Sequence, residues 1–161
     1  MTGYYTDASG NSTSVNTDTL TLDGSLTYTK IIAGAYNLSG DAKDYTVKVT
    51  DGIYSGTIYG GYSNTNAIGN TVKISGGTLT GTIYGGYSSG NTTGNTIEVS
   101  GGTLDGAALI GGSNSDVTNN KLLVKAKYIT VKTLKNFASL IFVPSNVTAG
   151  DTMLSLELVK R

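Results

Sequence analysis

The chain has 161 residues and a mass of 16.5 kDa, room for one domain's core, with 23 glycines, a single proline and only 14% charged residues. It holds no histidine, cysteine or tryptophan, which excludes histidine-based nucleophilic triads, zinc centres of the usual N/S kind, histidine-ligated haem and disulfides. Eleven basic residues balance eleven acidic ones, so no overall charge draws the chain to nucleic acid or to an anionic membrane.

Residues 1–18 show neither the basic start nor the apolar run of a signal peptide, and they read as a partial first coil or cap. From there the chain repeats itself. Residues 46–70, TVKVTDGIYSGTIYGGYSNTNAIGN, and 71–95, TVKISGGTLTGTIYGGYSSGNTTGN, match at 15 of 25 positions without a gap. Residues 96–120 keep the register apart from one extra residue near Ala107 and Ala108, and 19–45 is a looser copy of 27 residues. Residues 121–161 form divergent coils that lose the glycines and stop in a truncated end.

Within a repeat the period is two. Val72 and Ile74 alternate with Thr71, Lys73 and Ser75 as in a half-buried strand, Gly76-Gly77 turns the chain, and short strands follow at Leu79 and at Thr82-Ile83-Tyr84. A glycine roughly every five residues penalises a helix. Three short strands per 25 residues predict an all-β fold: a right-handed, single-stranded parallel β-helix (β-solenoid), each coil stacked about 4.8 Å on the last. Val47, Val72 and Ile97, then Val49, Ile74 and Val99, then Ile58 and Ile83, form inward columns. Asn70, Asn95 and Asn120 recur just before the first strand, where side-chain amides can bond along the axis.

Further on, Phe137–Val143 is apolar on both parities and reads as buried on both faces or covered, and Met153–Val159 alternates again. Residues 117–161 carry two acids and seven bases against nine and four in residues 1–116. Lys121, Lys125, Lys127, Lys132 and Lys135 read as solvated strand faces that block unwanted pairing, with a polyanion or lipid-headgroup contact as the other reading. Open strands at both ends make end-to-end self-association a hazard.

Chemistry is sparse. No phosphate-binding loop or dinucleotide fingerprint occurs, and the calcium-binding nonapeptide is approached only at 111–116. No metal or cofactor is implied. Asp23-Gly24 and Asp51-Gly52 fall at the equivalent turn of successive coils, near a retaining glycosidase's carboxylate spacing, but Asp-Gly is equally a good turn. Later coils place Gly76 and Gly101 where Asp51 stands, and the one arginine is Arg161. A non-enzymatic reading follows.

Tyrosine is the unusual residue, 11 of the chain's 13 aromatics. Tyr59 and Tyr84 share one repeat position, and Tyr62 and Tyr87 another, which Tyr36 joins. Beside inward Ile58 and Ile83, these rings should point out and stack as a surface ladder, which either only stabilises the solenoid or also serves as a binding strip for a protein or a glycan.

The unit GNTVKISGGTLTGTIYGGYSSGNTTGNTIEVSGGT, residues 69–103, and the tail LKNFASLIFVPSNVTAGDTMLSL, residues 134–156, resemble passenger-domain repeats of large autotransporter adhesins of the Veillonella and Fusobacterium type. The resemblance spans about residues 46–156. It implies a secreted β-helical stalk on the bacterial cell surface, attached to the outer membrane through a C-terminal barrel absent from this chain, and supporting adhesion or aggregation with a host or bacterial surface protein or glycan as partner. It brings no catalytic residues. The other reading of the residues is a carbohydrate-active or glycan-binding β-helix of tailspike or polysaccharide-lyase type.

Overall fold

The computed structural model describes residues 3–7, 11–15, 18–25, 28–114 and 118–157. Strands β1 (Gly3–Asp7) and β2 (Ser12–Val15) form an antiparallel hairpin. The first coil holds β3 (Thr19–Asp23), β4 (Tyr28–Asn37) and β5 (Ala42–Lys43). The second holds β6 (Thr46–Asp51), β7 (Ile53–Tyr54), β8 (Thr57–Ser63) and β9 (Ala67–Ile68), and the third repeats it as β10 (Thr71–Ile74), β11 (Thr78–Leu79), β12 (Thr82–Ser88) and β13 (Thr92–Thr93). Next come β14 (Thr96–Val99) and β15 (Ala108–Gly112), then β16 (Lys121–Val124), β17 (Ile129–Val131) and β18 (Thr133–Lys135), and last β19 (Ser139–Phe142) and β20 (Leu154–Leu156). Among the described residues there is no helix.

The chain is a β-solenoid. Thr19, Thr46, Thr71, Thr96 and Lys121 open successive coils and lie side by side in one parallel sheet, ordered β19-β16-β14-β10-β6-β3. A second large sheet runs β18-β15-β12-β8-β4-β1-β2, parallel as far as β4, where the hairpin joins it antiparallel. The predicted columns are in place: Leu20, Val47, Val72, Ile97 and Leu122 stack in one line, and Leu22, Val49, Ile74, Val99 and Val124 in another, none more than 5% exposed. Ile32, Ile58, Ile83 and Leu109 face them across the coil. One rung alone shields little apolar surface, so this burial exists only because the rungs are stacked.

The additional residue is accommodated where the repeat places it. Thr78 bridges Thr103, 25 residues on, whereas Thr82 pairs with Ala108, 26 on, and Thr96 pairs with Lys121, 25 on. At the first turn Gly24, Gly52, Gly77 and Gly102 all adopt positive φ, between 80° and 102°, which a side chain would strain.

Two features depart from the sequence reading. The polar runs before Tyr45, Asn70 and Asn95 each contain a fourth short strand, β5, β9 and β13, and these pair as a three-stranded sheet that buries Ala42, Ala67 and Thr92. The strand-like stretch Phe137–Val143 is not buried on both faces: Leu140 is 48% exposed and Phe142 45%. Their parity extends the columns of Leu122 and Val124, but β19 is an edge of its sheet, so its apolar side chains have no further rung against them. Of the expected strand Met153–Val159, β20 covers Leu154–Leu156 beside β17, and 158–159 lie outside the described residues. The lysines are surface residues, and two find acids on other coils: Lys125 pairs with Glu98 at 2.9 Å and Lys127 with Asp151 at 2.9 Å.

Candidate functional site

The repeated segment TIYGGYS forms β8 and β12, and its alternation breaks at the glycine pair, where Gly60 and Gly61 are both buried. That break swings Tyr59 and Tyr62 to the same outer face, three residues apart, where strict alternation would have opposed them. The glycines are needed because an asparagine stands behind them. A Cβ on Gly61 would come within 2.3 Å of Asn70 Nδ2, and one on Gly60 within 2.3 Å of the Gly85 carbonyl oxygen in the next coil.

Asn70, Asn95 and Asn120 are fully buried. The backbone N–H of Asn70 (3.0 Å) and its Nδ2 (3.1 Å) both donate to Asn95 Oδ1, and Nδ2 also donates to the Ala42 carbonyl (2.9 Å). Asn95 does the same to Asn120 Oδ1 (2.9 and 3.2 Å) and to the Ala67 carbonyl (2.9 Å). Asn120 Nδ2 ends the run on the Thr92 carbonyl at 2.7 Å. A coil earlier Tyr45 takes the asparagine's place, buried, with its backbone N–H donating to Asn70 Oδ1.

Outside this amide ladder stands the tyrosine ladder, and the structure brings all five predicted rings together. Tyr36 and Tyr62 stack at 5.4 Å between centroids, Tyr62 and Tyr87 at 5.3 Å and 7°, and Tyr59 and Tyr84 at 5.3 Å and 16°. The two columns meet edge to face: Tyr59 against Tyr62 (73°) and Tyr87 (67°), and Tyr84 against Tyr87 (83°). Tyr4 is a sixth member that the repeat does not announce, because it arrives on the antiparallel β1 and stacks on Tyr36 at 4.6 Å. Tyr36, Tyr59, Tyr62 and Tyr84 are half-buried by one another, and Tyr87 is the most open of the five, 36% exposed. Burial pushes the phenols of Tyr59 and Tyr84 above the ordinary tyrosine value, with neighbouring phenols adding to it.

The carboxylates lie elsewhere. Asp23 and Asp51 are neighbours in register, as the spacing predicts, across a local irregularity between β3 and β6. Each is occupied by its turn: Asp51 Oδ1 accepts the Gly52 N–H at 2.7 Å, and Asp23 Oδ1 accepts the N–H and hydroxyl of Ser25. The Ser25 hydrogen bonds hold the Asp23 carboxyl below its ordinary value, the direction opposite to that required of a general acid. Buried Tyr54 braces the same turn, donating its hydroxyl to the Asp51 carbonyl at 2.8 Å. Among the described residues no three acidic side chains cluster in a way that could hold a metal ion.

No protein family, curated protein or solved structure matches this chain.

Proposed function

We propose that this chain is a stalk segment of a secreted cell-surface passenger of the autotransporter-adhesin type, non-enzymatic, supporting bacterial adhesion or aggregation. The observation that carries the reading is the stacking of the ladders: hydrophobic columns pass through successive coils, with amide and tyrosine columns alongside them. Such a body is suited to holding distance. Each coil adds about 4.8 Å of length, and hydrogen bonds between neighbouring coils make opening one rung costly to the next. The resemblance of residues 69–103 and 134–156 to passenger repeats supports the extracellular setting. A glycan-contacting role is favoured by the half-exposed tyrosine strip of Tyr36, Tyr59, Tyr62, Tyr84 and Tyr87, and it is compatible with a stalk.

Two measurements on the bacterium that carries the gene test this. Antibodies raised against the purified solenoid should label intact cells, and in-frame deletion of residues 46–120 should reduce adhesion or aggregation while the protein is still displayed. Retention inside the cell, or polysaccharide cleavage that is lost in Asp51→Asn, would replace the stalk with the carbohydrate-active reading.

A further inference from the structure

We infer that the C-terminal end of the tyrosine ladder is a binding site for a single pyranose ring, stacked on the free face of Tyr87 in the place where the next coil lacks its tyrosine. The inference deepens the contact role given above to the tyrosine strip; it does not depend on where the protein is located.

A sugar ring stacks on an aromatic face, and inside a ladder the faces are already taken. Tyr62 has Tyr36 on one side and Tyr87 on the other, and Tyr36 lies between Tyr4 and Tyr62. In the second column, Tyr84 has Tyr59 on one face and is paired in register with Ile110 on the other side. Tyr59 is followed in the opposite direction by Ala33, which is fully buried, so no open space remains there. The strip therefore offers ring edges and hydroxyls along its length, and whole ring faces only at its ends.

The C-terminal end is Tyr87. Tyr62 covers one of its faces, and among the described residues no ring covers the other. Gly86 pairs with Gly112, and Ser113 follows Gly112 in the chain as Tyr87 follows Gly86. Serine is short, and its hydroxyl is turned onto the preceding coil, accepting the Ser88 N–H and donating to the Ser88 carbonyl, both at 3.0 Å. A ring stacked on that face would continue the column at its 5.3 Å centroid spacing.

The rim indicates the chemistry of the guest. Ile110 continues the neighbouring column beside the vacancy and supplies an apolar wall. Asn114 spends its Nδ2 on the carbonyls of Ser88 (3.1 Å) and Gly90 (2.9 Å), which leaves its Oδ1 as an acceptor at the edge. An aromatic floor, an apolar flank and an acceptor rim fit a ring with one C–H face and hydroxyls around its perimeter, which describes a hexopyranose.

The test uses the purified full chain and two probes, methyl β-D-galactopyranoside and methyl β-D-glucopyranoside, read by saturation-transfer NMR. The C–H face of at least one sugar should receive saturation from the protein. Tyr87→Leu should weaken that binding roughly tenfold or more, and Ser113→Tyr, which supplies the missing ring from the chain itself, should abolish it. Circular dichroism establishes that each variant keeps its β-solenoid. Tyr128→Asn, which removes an exposed tyrosine outside the ladder, should change nothing. No transfer to either sugar overturns the inference, as does binding that survives Ser113→Tyr in a folded protein. With p-nitrophenyl β-D-galactopyranoside, saturation confined to the aglycone, with none on the plain sugars, would overturn it in favour of flat aromatic ligands.

Discussion

At the level of single residues, the buried asparagines show how a polar group can hold a core together. An unpaired buried amide is costly, whereas one whose donors and acceptors are all met becomes a specific tie. Asn95 accepts two hydrogen bonds from Asn70 and donates to Ala67 and Asn120, so Asn95→Ala orphans groups in the coils on both sides. Leaving two buried groups unmet at roughly 1–3 kcal/mol each predicts a loss of about 3 kcal/mol, measurable by urea unfolding. The tyrosines predict a dependence on alkali. Because burial raises the folded-state pKa of Tyr59 and Tyr84, the stability they contribute is fully present below the unfolded value of about 10 and is lost as pH rises through the higher folded value. The tyrosinate absorption of the folded protein should thus lag behind that of the urea-unfolded chain, and the melting temperature should begin to fall as pH rises past about 10. If native and unfolded phenols titrate together, the rings are not shielded as described.

The element that organises the site is the strand with a glycine pair at its centre. In β8 and β12 the two glycines admit the asparagine ladder on the inside and bring two tyrosines onto one outer face, so the amide and ring columns share one cause. A methyl at Gly86 would lie 2.6 Å from Asn95 Nδ2 and 3.0 Å from Ala67 Cβ. Gly86→Ala should cost about 1–3 kcal/mol by overpacking and also disturb the Tyr84–Tyr87 contact, seen as a change in the near-ultraviolet circular dichroism. Much of this was legible in advance. The recurrence of IYGGY, GNT and the aliphatic pairs fixed register, columns and the stacking of five tyrosines, because a repeated position is a stacked position once rungs are parallel. What escaped had a weaker signal. Tyr4 lies on an antiparallel strand outside the repeat. The corner strands β5, β9 and β13 are two residues long and partly polar, so alternation cannot mark them. Phe137–Val143 is apolar on both parities and so reads as buried, but whether a rung lies beyond it is a property of the stack and not of the segment.

At the scale of the whole molecule, the solenoid behaves as a one-dimensional stack in which each coil answers mainly to its neighbours. Excision of residues 71–95 therefore joins Asn70 to Thr96, restoring the Asn-Thr junction of the parent in the same register. The shortened chain should fold, with a β-type circular dichroism spectrum and a urea midpoint lowered by one interface rather than abolished. Excision of 71–90, which removes a fractional coil, should not yield a folded protein, and equal stability of the two deletions would contradict a register-locked stack. The tyrosine ladder also has an optical consequence. The chain lacks tryptophan, so its near-ultraviolet absorption and emission come chiefly from 11 tyrosines. Six of these, Tyr4, Tyr36, Tyr59, Tyr62, Tyr84 and Tyr87, sit in ring-to-ring contact across successive coils. Their transitions are close enough to couple and to pass excitation along the axis, so the protein carries its own chromophore array, and the loss of a single rung should be readable as light without any attached label.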